Sequence, residues 1–144
     1  MSSAKALDFG KVIFNVLKTN STLLSVVGMS ANKIQPTPML EQGDPTIGVL
    51  YEISAVNPIN AKRVNRSEIT PLYIVDFSIQ AFSTDYSTSV ILAKAVINAF
   101  HDLPNGVYEF IKVDGINLQT ISEDYNKAQR YYNKAISFQA RVLG

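Results

Sequence analysis

Leu72-Tyr-Ile-Val-Asp-Phe-Ser-Ile-Gln-Ala-Phe82, opened by Pro71, decides how the chain is read. Tyr73, Val75, Phe77, Ile79 and Ala81 recur at every second position, which puts them on one face of a strand. The opposite face passes from apolar Leu72 and Ile74 to Asp76, Ser78 and Gln80. One apolar and one mixed face describes a sheet packed by helices on one side.

The segments around this strand supply the helices and its partners. Downstream, Ser83-Thr-Asp-Tyr-Ser87 caps a helix to about Asp102, with Val90, Ala93, Val96, Ile97 and Phe100 as its stripe. Leu103-Pro-Asn-Gly106 ends it. Upstream, Thr46 to Ser54 alternates, with Ile47, Val49, Tyr51 and Ile53 on one side. Further back, Phe9, Val12, Ile13, Val16 and Leu17 fall at helical spacing in a segment from about Ser3 to Leu17. Asn20 or Ser21 caps a shorter helix carrying Leu23, Leu24, Val26 and Val27, and Gly28 stops it. The stretch Ile34 to Pro45, with Pro36, Pro38, Pro45 and Gly43, reads as extended and irregular.

Towards the C-terminus, Val107–Val113 and Ile116–Ser122 alternate on either side of Asp114-Gly115. An Asp-Gly pair in that setting predicts a hairpin, because both turn residues take positive φ. Glu123 to Arg130 reads as a long connection, and Tyr131 to about Val142 as the last strand. The expected order is α-α-β-β-α-β-β-β in one domain, 1–144, of class α+β with a mostly antiparallel sheet packed by helices.

Composition narrows the function classes. The 144 residues contain no cysteine and one histidine, which excludes a disulfide scaffold, a thiolate metal site, a cysteine nucleophile and a multi-histidine metal site within one chain. Lys and Arg number 13 against 12 Asp and Glu, which argues against a strongly basic nucleic-acid binder. Charged residues are 17% of the chain, below the roughly 25% of an ordinary soluble domain. Sparse charge on a small domain is the composition of surfaces where subunits meet, although a neutral, polar monomer is the simpler alternative. No apolar run approaches the ~20 residues of a membrane span, and the first residues lack the pattern of a signal peptide. The expectation is a product made and retained, or assembled, in a cytoplasm.

Candidate chemistry is thin. His101 closes the third helix, where its role is capping or solvation rather than base catalysis with neighbouring Asp102. Glu123 and Asp124 are adjacent, so a strand sends them to opposite faces and a solvated strand end is expected. Tyr125, Tyr131 and Tyr132 with Lys127, Arg130 and Lys134 resemble an aromatic-basic patch for nucleic acid, but a strand-edge or subunit contact fits the neighbouring acids better. Asn57 to Glu68 reads as a long loop holding Lys62, Arg63 and Arg66 among Asn57, Asn60 and Asn65. It is the candidate partner-contact segment, against the reading of a solvated basic loop. No Gly-rich phosphate loop, nucleophile elbow or cofactor motif is present.

Several strings taken together resemble the phage tail-completion or tail-terminator (head–tail joining) family. These are Asn20-Ser-Thr-Leu-Leu-Ser-Val-Val-Gly28 after an amphipathic helix, Lys33-Ile34 before a Pro-rich segment, and Asp44-Pro-Thr-Ile-Gly-Val-Leu-Tyr51. Val75-Asp-Phe-Ser-Ile-Gln-Ala-Phe82, the helix around Ala93-Lys-Ala-Val-Ile-Asn-Ala-Phe100 and the closing Ser137-Phe-Gln-Ala-Arg-Val142 continue the pattern. The segments 57–68 and 123–130 depart from it by their length. The resemblance implies a non-enzymatic virion protein, assembled in the host cytoplasm, without cofactor or metal. It implies a ring, commonly hexameric, at the head-proximal end of the tail or in the neck, contacting tail-tube protein and neck or head-completion proteins. Non-specific contact with genomic DNA in the channel is a further implication, and a membrane partner is not. The rival readings are a small α+β ligand- or peptide-binding module of a bacterial cell and a hydrolase using Asp76 or Glu52.

Overall fold

The computed structural model describes residues 7–37, 46–59 and 72–143. Helix α1 spans Phe9–Lys18, α2 Ser21–Leu24 and α3 Tyr86–His101, with one 3-10 turn at Ala31–Lys33. The strands are β1 Ile34–Pro36, β2 Ile47–Ile59, β3 Leu72–Ser83, β4 Gly106–Tyr108, β5 Ile111–Asn126 and β6 Tyr131–Leu143. They form one sheet in the order β1-β2-β3-β6-β5-β4, parallel between β1 and β2 and antiparallel elsewhere. The class is α+β, and the expected order holds with one short strand, β1, added before the first long one.

The helices cover one face. Phe9, Val12, Ile13 and Leu17 of α1 are buried over β1 and β2, with Phe9 reaching Phe77 of β3, while α3 covers the odd-numbered residues of β3 and the even-numbered residues of β6. At the centre, the Phe77 ring lies 5.3 Å from Phe9, 5.3 Å from Phe100 and 5.2 Å from Phe138, centroid to centroid. In β2 the register slips between Ile53 and Ala55. This bulge moves the core-facing positions from Tyr51 and Ile53 to Val56, which still packs on the core. Asn20 caps α2 by accepting the Leu23 N–H at 2.8 Å, but the helix ends at Leu24 with Ser25 as C-cap, so Gly28, at φ +92°, turns the chain four residues later rather than stopping the helix. The described part of α1 begins at Phe9, and α2 is a single turn that leaves Val27 exposed. The buried face of α3 is wider than expected: Ser89, Leu92, Ala95 and Ala99 are buried, while Val90 and Ile97 sit half-buried at its flank.

Three expectations are corrected. Asp114-Gly115 is not a hairpin turn, because β5 runs straight through it with a register shift between Val113 and Ile116. Only Gly115 has positive φ, +140°, which is the signature of a glycine bulge. The turn falls earlier, at Glu109 and Phe110, with φ of 50° and 65°. Glu123 to Arg130 is not a long connection either. Glu123 to Asn126 completes β5, and four residues turn into β6, held by the Asn126 carbonyl accepting from Arg130 N–H and its side chain accepting from Gln129 N–H. Finally, Ile34–Pro36 is a strand, and Asn57 belongs to β2, paired with Ile74, rather than to a loop. Asn60, Lys62, Arg63, Asn65 and Arg66 lie outside the described residues.

Candidate functional site

The polar side chains worth examining are scattered by the fold, with one exception. His101 is the exposed last residue of α3, and Asp102 is its C-cap. Asp76 and Glu52 lie on the sheet face away from the helices. Asp76 accepts from Gln139 Nε2 at 3.1 Å and Glu52 from Ser78 Oγ at 3.4 Å. These are cross-strand contacts that leave neither carboxylate beside a second catalytic group. Among the described residues no three His, Asp or Glu side chains converge to hold a metal ion. Nor is any described helix long and apolar enough to cross a membrane.

The exception is a cluster where the start of α3 meets the β5–β6 hairpin. Asp85 caps α3 by accepting the Thr88 N–H and hydroxyl, both at 2.9 Å, and this holds its carboxyl below the usual aspartate value. The cap fixes Tyr86 and Ser89 over β6. The register then brings Glu123 opposite Lys134 and Tyr125 opposite Tyr132. Lys134 is 5% exposed and lies in the core-facing row of β6 with Ile136 and Phe138. A buried ammonium needs partners for its charge and donors. It donates to Ser89 Oγ at 3.1 Å, pairs with Glu123 Oε2 at 3.1 Å and sits 4.2 Å from the Tyr86 ring centroid. Tyr86 donates its hydroxyl proton to the same Glu123 oxygen at 3.2 Å. The Lys134 hydrogen bond and charge, then the bond from Tyr86, hold the Glu123 carboxyl below its usual range. The same contact with Glu123 raises the Tyr86 phenol.

The arrangement is a lock. Its only buried cation is fully engaged by its own chain, and the pocket beside it, lined by Tyr86, Tyr125, Tyr132, Glu123, Asp124 and Lys134, holds about 200 Å³. The three tyrosines of the sequence patch do not make one stacking platform. Tyr125 and Tyr132 meet at 4.8 Å on the helix-bearing face, whereas Tyr131 packs on Phe82 at 4.9 Å on the other. Glu123 is not a merely solvated strand end, but Asp124 is exposed. Sequence reasoning missed Tyr86 and Ser89. The available signal was Lys134 itself, a lysine in phase with the core row Ile136, Phe138, Ala140 and Val142.

Beyond the lock, β5 changes character. From Asn117 to Tyr125 every residue is exposed, and Leu118, Ile121 and Tyr125 retain 44%, 53% and 43% of their surface. These three pair with Phe138, Ile136 and Tyr132, so they share the helix-bearing face. β4 pairs only with Ile111–Val113, which leaves the outer edge of Ile116–Asn126 without a strand among the described residues. Two clefts of about 420 and 440 Å³ flank the Glu109 turn along α1, the first including Leu7, Phe14 and Tyr51, the second Val12, Val16 and Leu103.

No protein-family model and no curated protein matches the chain. Among solved structures it is similar to a chain described as "Virion of native gene transfer agent (GTA) particle", with 17% identity, a TM-score of 0.61 and 92% of each chain covered. The likeness spans nearly the whole of both chains, so this fold, from α1 to β6, is one that a virus-like particle contains.

Proposed function

We propose that the chain is a structural virion protein of phage type that forms a ring, hexameric in the first instance, at the head-proximal end of the tail or in the neck. There it ends tail-tube assembly and joins tail to head. The observation that carries this reading is the near full-length likeness to a chain of the gene transfer agent virion. Two features of the molecule support it. Among the described residues the Lys134, Glu123, Tyr86 and Ser89 cluster is spent on internal contacts. Among the described residues a long strand edge is open and carries exposed Leu118, Ile121 and Tyr125, a surface that a neighbouring subunit could cover. A closed ring is a heterologous assembly, so each subunit offers two different surfaces.

In this reading tail-tube and neck proteins are the axial partners, and DNA passes through the channel. The segment holding Lys62, Arg63 and Arg66, with Asn57, Asn60 and Asn65, is proposed as a clasp on an acidic neighbour, since amides add directional bonds that phosphate attraction does not need. Removing the gene from a particle-producing strain tests the reading. Heads and tails should accumulate unjoined, with tubes of irregular length. Normal, joined particles from the deletion strain would refute it. Charge reversal at Arg63 and Arg66 should reproduce the joining defect, whereas intact joining with slowed genome release would place the segment on the channel.

A further inference from the structure

Resting on the ring reading, the geometry points to one specific contact between copies: we infer that β1 of one subunit adds antiparallel to the open edge of β5 in the next. The case begins with what β5 exposes. Ile116-Asn-Leu-Gln-Thr-Ile-Ser122 carries no charge and no proline, but β5 bulges between Leu118 and Thr120, so its regular open edge runs from Thr120 towards Asn126. At the other end of the sheet, β1 is the terminal strand, with no strand on its outer edge among the described residues; there Ile34 N–H is taken by the Ala31 carbonyl and Pro36 has none, so β1 offers carbonyl acceptors to the N–H groups of β5.

Direction follows from the topology. β1 runs parallel to β2, and the antiparallel steps β2-β3-β6-β5 leave β5 opposed to both. If the helix-bearing faces of two copies stay on the same side, only one orientation brings β1 to β5, and in it the strands are antiparallel. The contact is heterologous, as a ring needs.

Height follows from the register. Gln35 is level with Leu50, Gln80, Ala135 and hence Ser122, and Ile34 is level with Glu123 by the same steps. Lys33, one residue earlier, is then level with Asp124. Both are exposed, and neither has an ion pair among the described residues. The docked copies thus bring an unpaired cation to an unpaired carboxylate. β4 does not obstruct this, because it lies at the height of Pro58, at the far end of β5.

A three-residue pairing alone is too small for a stable interface of about 800 Å² per partner. The remaining area has a source on the same side. The neighbour's α1 packs over its own β1 and β2, with exposed Leu7 and half-buried Phe14 in a cleft shared with Tyr51 and the Glu109 turn. It would meet Leu118, Ile121 and Tyr125.

The absence of native cysteine makes the test direct. Gln35→Cys and Ser122→Cys in one chain should give a disulfide-linked ladder under oxidation. Mixed single variants should give dimers only, and each single variant alone should give none. Self-linking of Ser122→Cys, or no link while native mass spectrometry shows an intact ring, overturns the contact and leaves the ring reading standing. Particles holding only monomer overturn both. As a second arm that does not depend on disulfide geometry, Lys33→Glu or Asp124→Lys should each weaken association about tenfold, and the two together should restore it. Equal loss in the double variant contradicts the pairing.

Discussion

β3 and β5 are both long strands of one sheet, yet their surroundings differ completely. β3 is paired along its whole length on both edges, by β2 and β6, and alternates between buried and half-buried residues. β5 is paired along its whole length on one edge only, and beyond Ile116 both its faces are open to solvent. The comparison separates two tasks within a single fold. β3 carries the centre of the core, while the outer half of β5 buries no side chain and leaves Leu118, Ile121 and Tyr125 exposed, the surface proposed above for assembly.

The largest expected effect comes from the core side of this contrast. Phe77→Ala removes the ring that touches Phe9, Phe100 and Phe138, and should cost about 3–5 kcal/mol in urea unfolding. A cost near that of a surface change would mean that β3 is not the centre of the core.

A smaller effect is expected at the lock that joins the two regions. Glu123→Gln leaves the buried Lys134 ammonium with a weaker partner and should lower the thermal midpoint. Lys134→Met removes the charge but keeps an apolar stem, and should stay within about 1.5 kcal/mol of wild type. The pH dependence carries the same information. Because the folded pKa of Glu123 is depressed, its contribution is complete above the ordinary glutamate value of 4.5 and is lost as pH falls through the lower folded value. Acid unfolding of Lys134→Met should lack that component, and an unchanged acid profile would show that the pair is not coupled to folding.

The smallest effect on stability belongs to β5. Leu118→Ser with Ile121→Ser should change unfolding free energy by only about 0.5 kcal/mol, yet abolish association in analytical ultracentrifugation. A large destabilisation would place these residues with β3 rather than apart from it.

The same contrast explains what the sequence discloses. β3 is legible because burial specifies both of its faces, so period two appears without interruption. The lower part of β5 misleads because a bulge and a tight turn both favour glycine at positive φ. Asp114-Gly115 satisfies the local demand of a hairpin, while the turn itself uses Glu109 and Phe110, steadied by Asn15 donating to the Glu109 carboxylate. That misplacement also hides the lock. Tyr86, Glu123 and Lys134 are distant in sequence, and only the four-residue turn after Asn126 sets the register that brings Glu123 to Lys134. β1, at three residues, is too short for any periodicity to reveal.

Electron cryo-microscopy of the intact particle's neck tests the central claim most directly. The account predicts a closed ring of this chain between tail tube and head, hexameric, with β5 of each subunit covered by its neighbour. A particle in which the chain is absent, or is present only as isolated copies with β5 exposed, would contradict it.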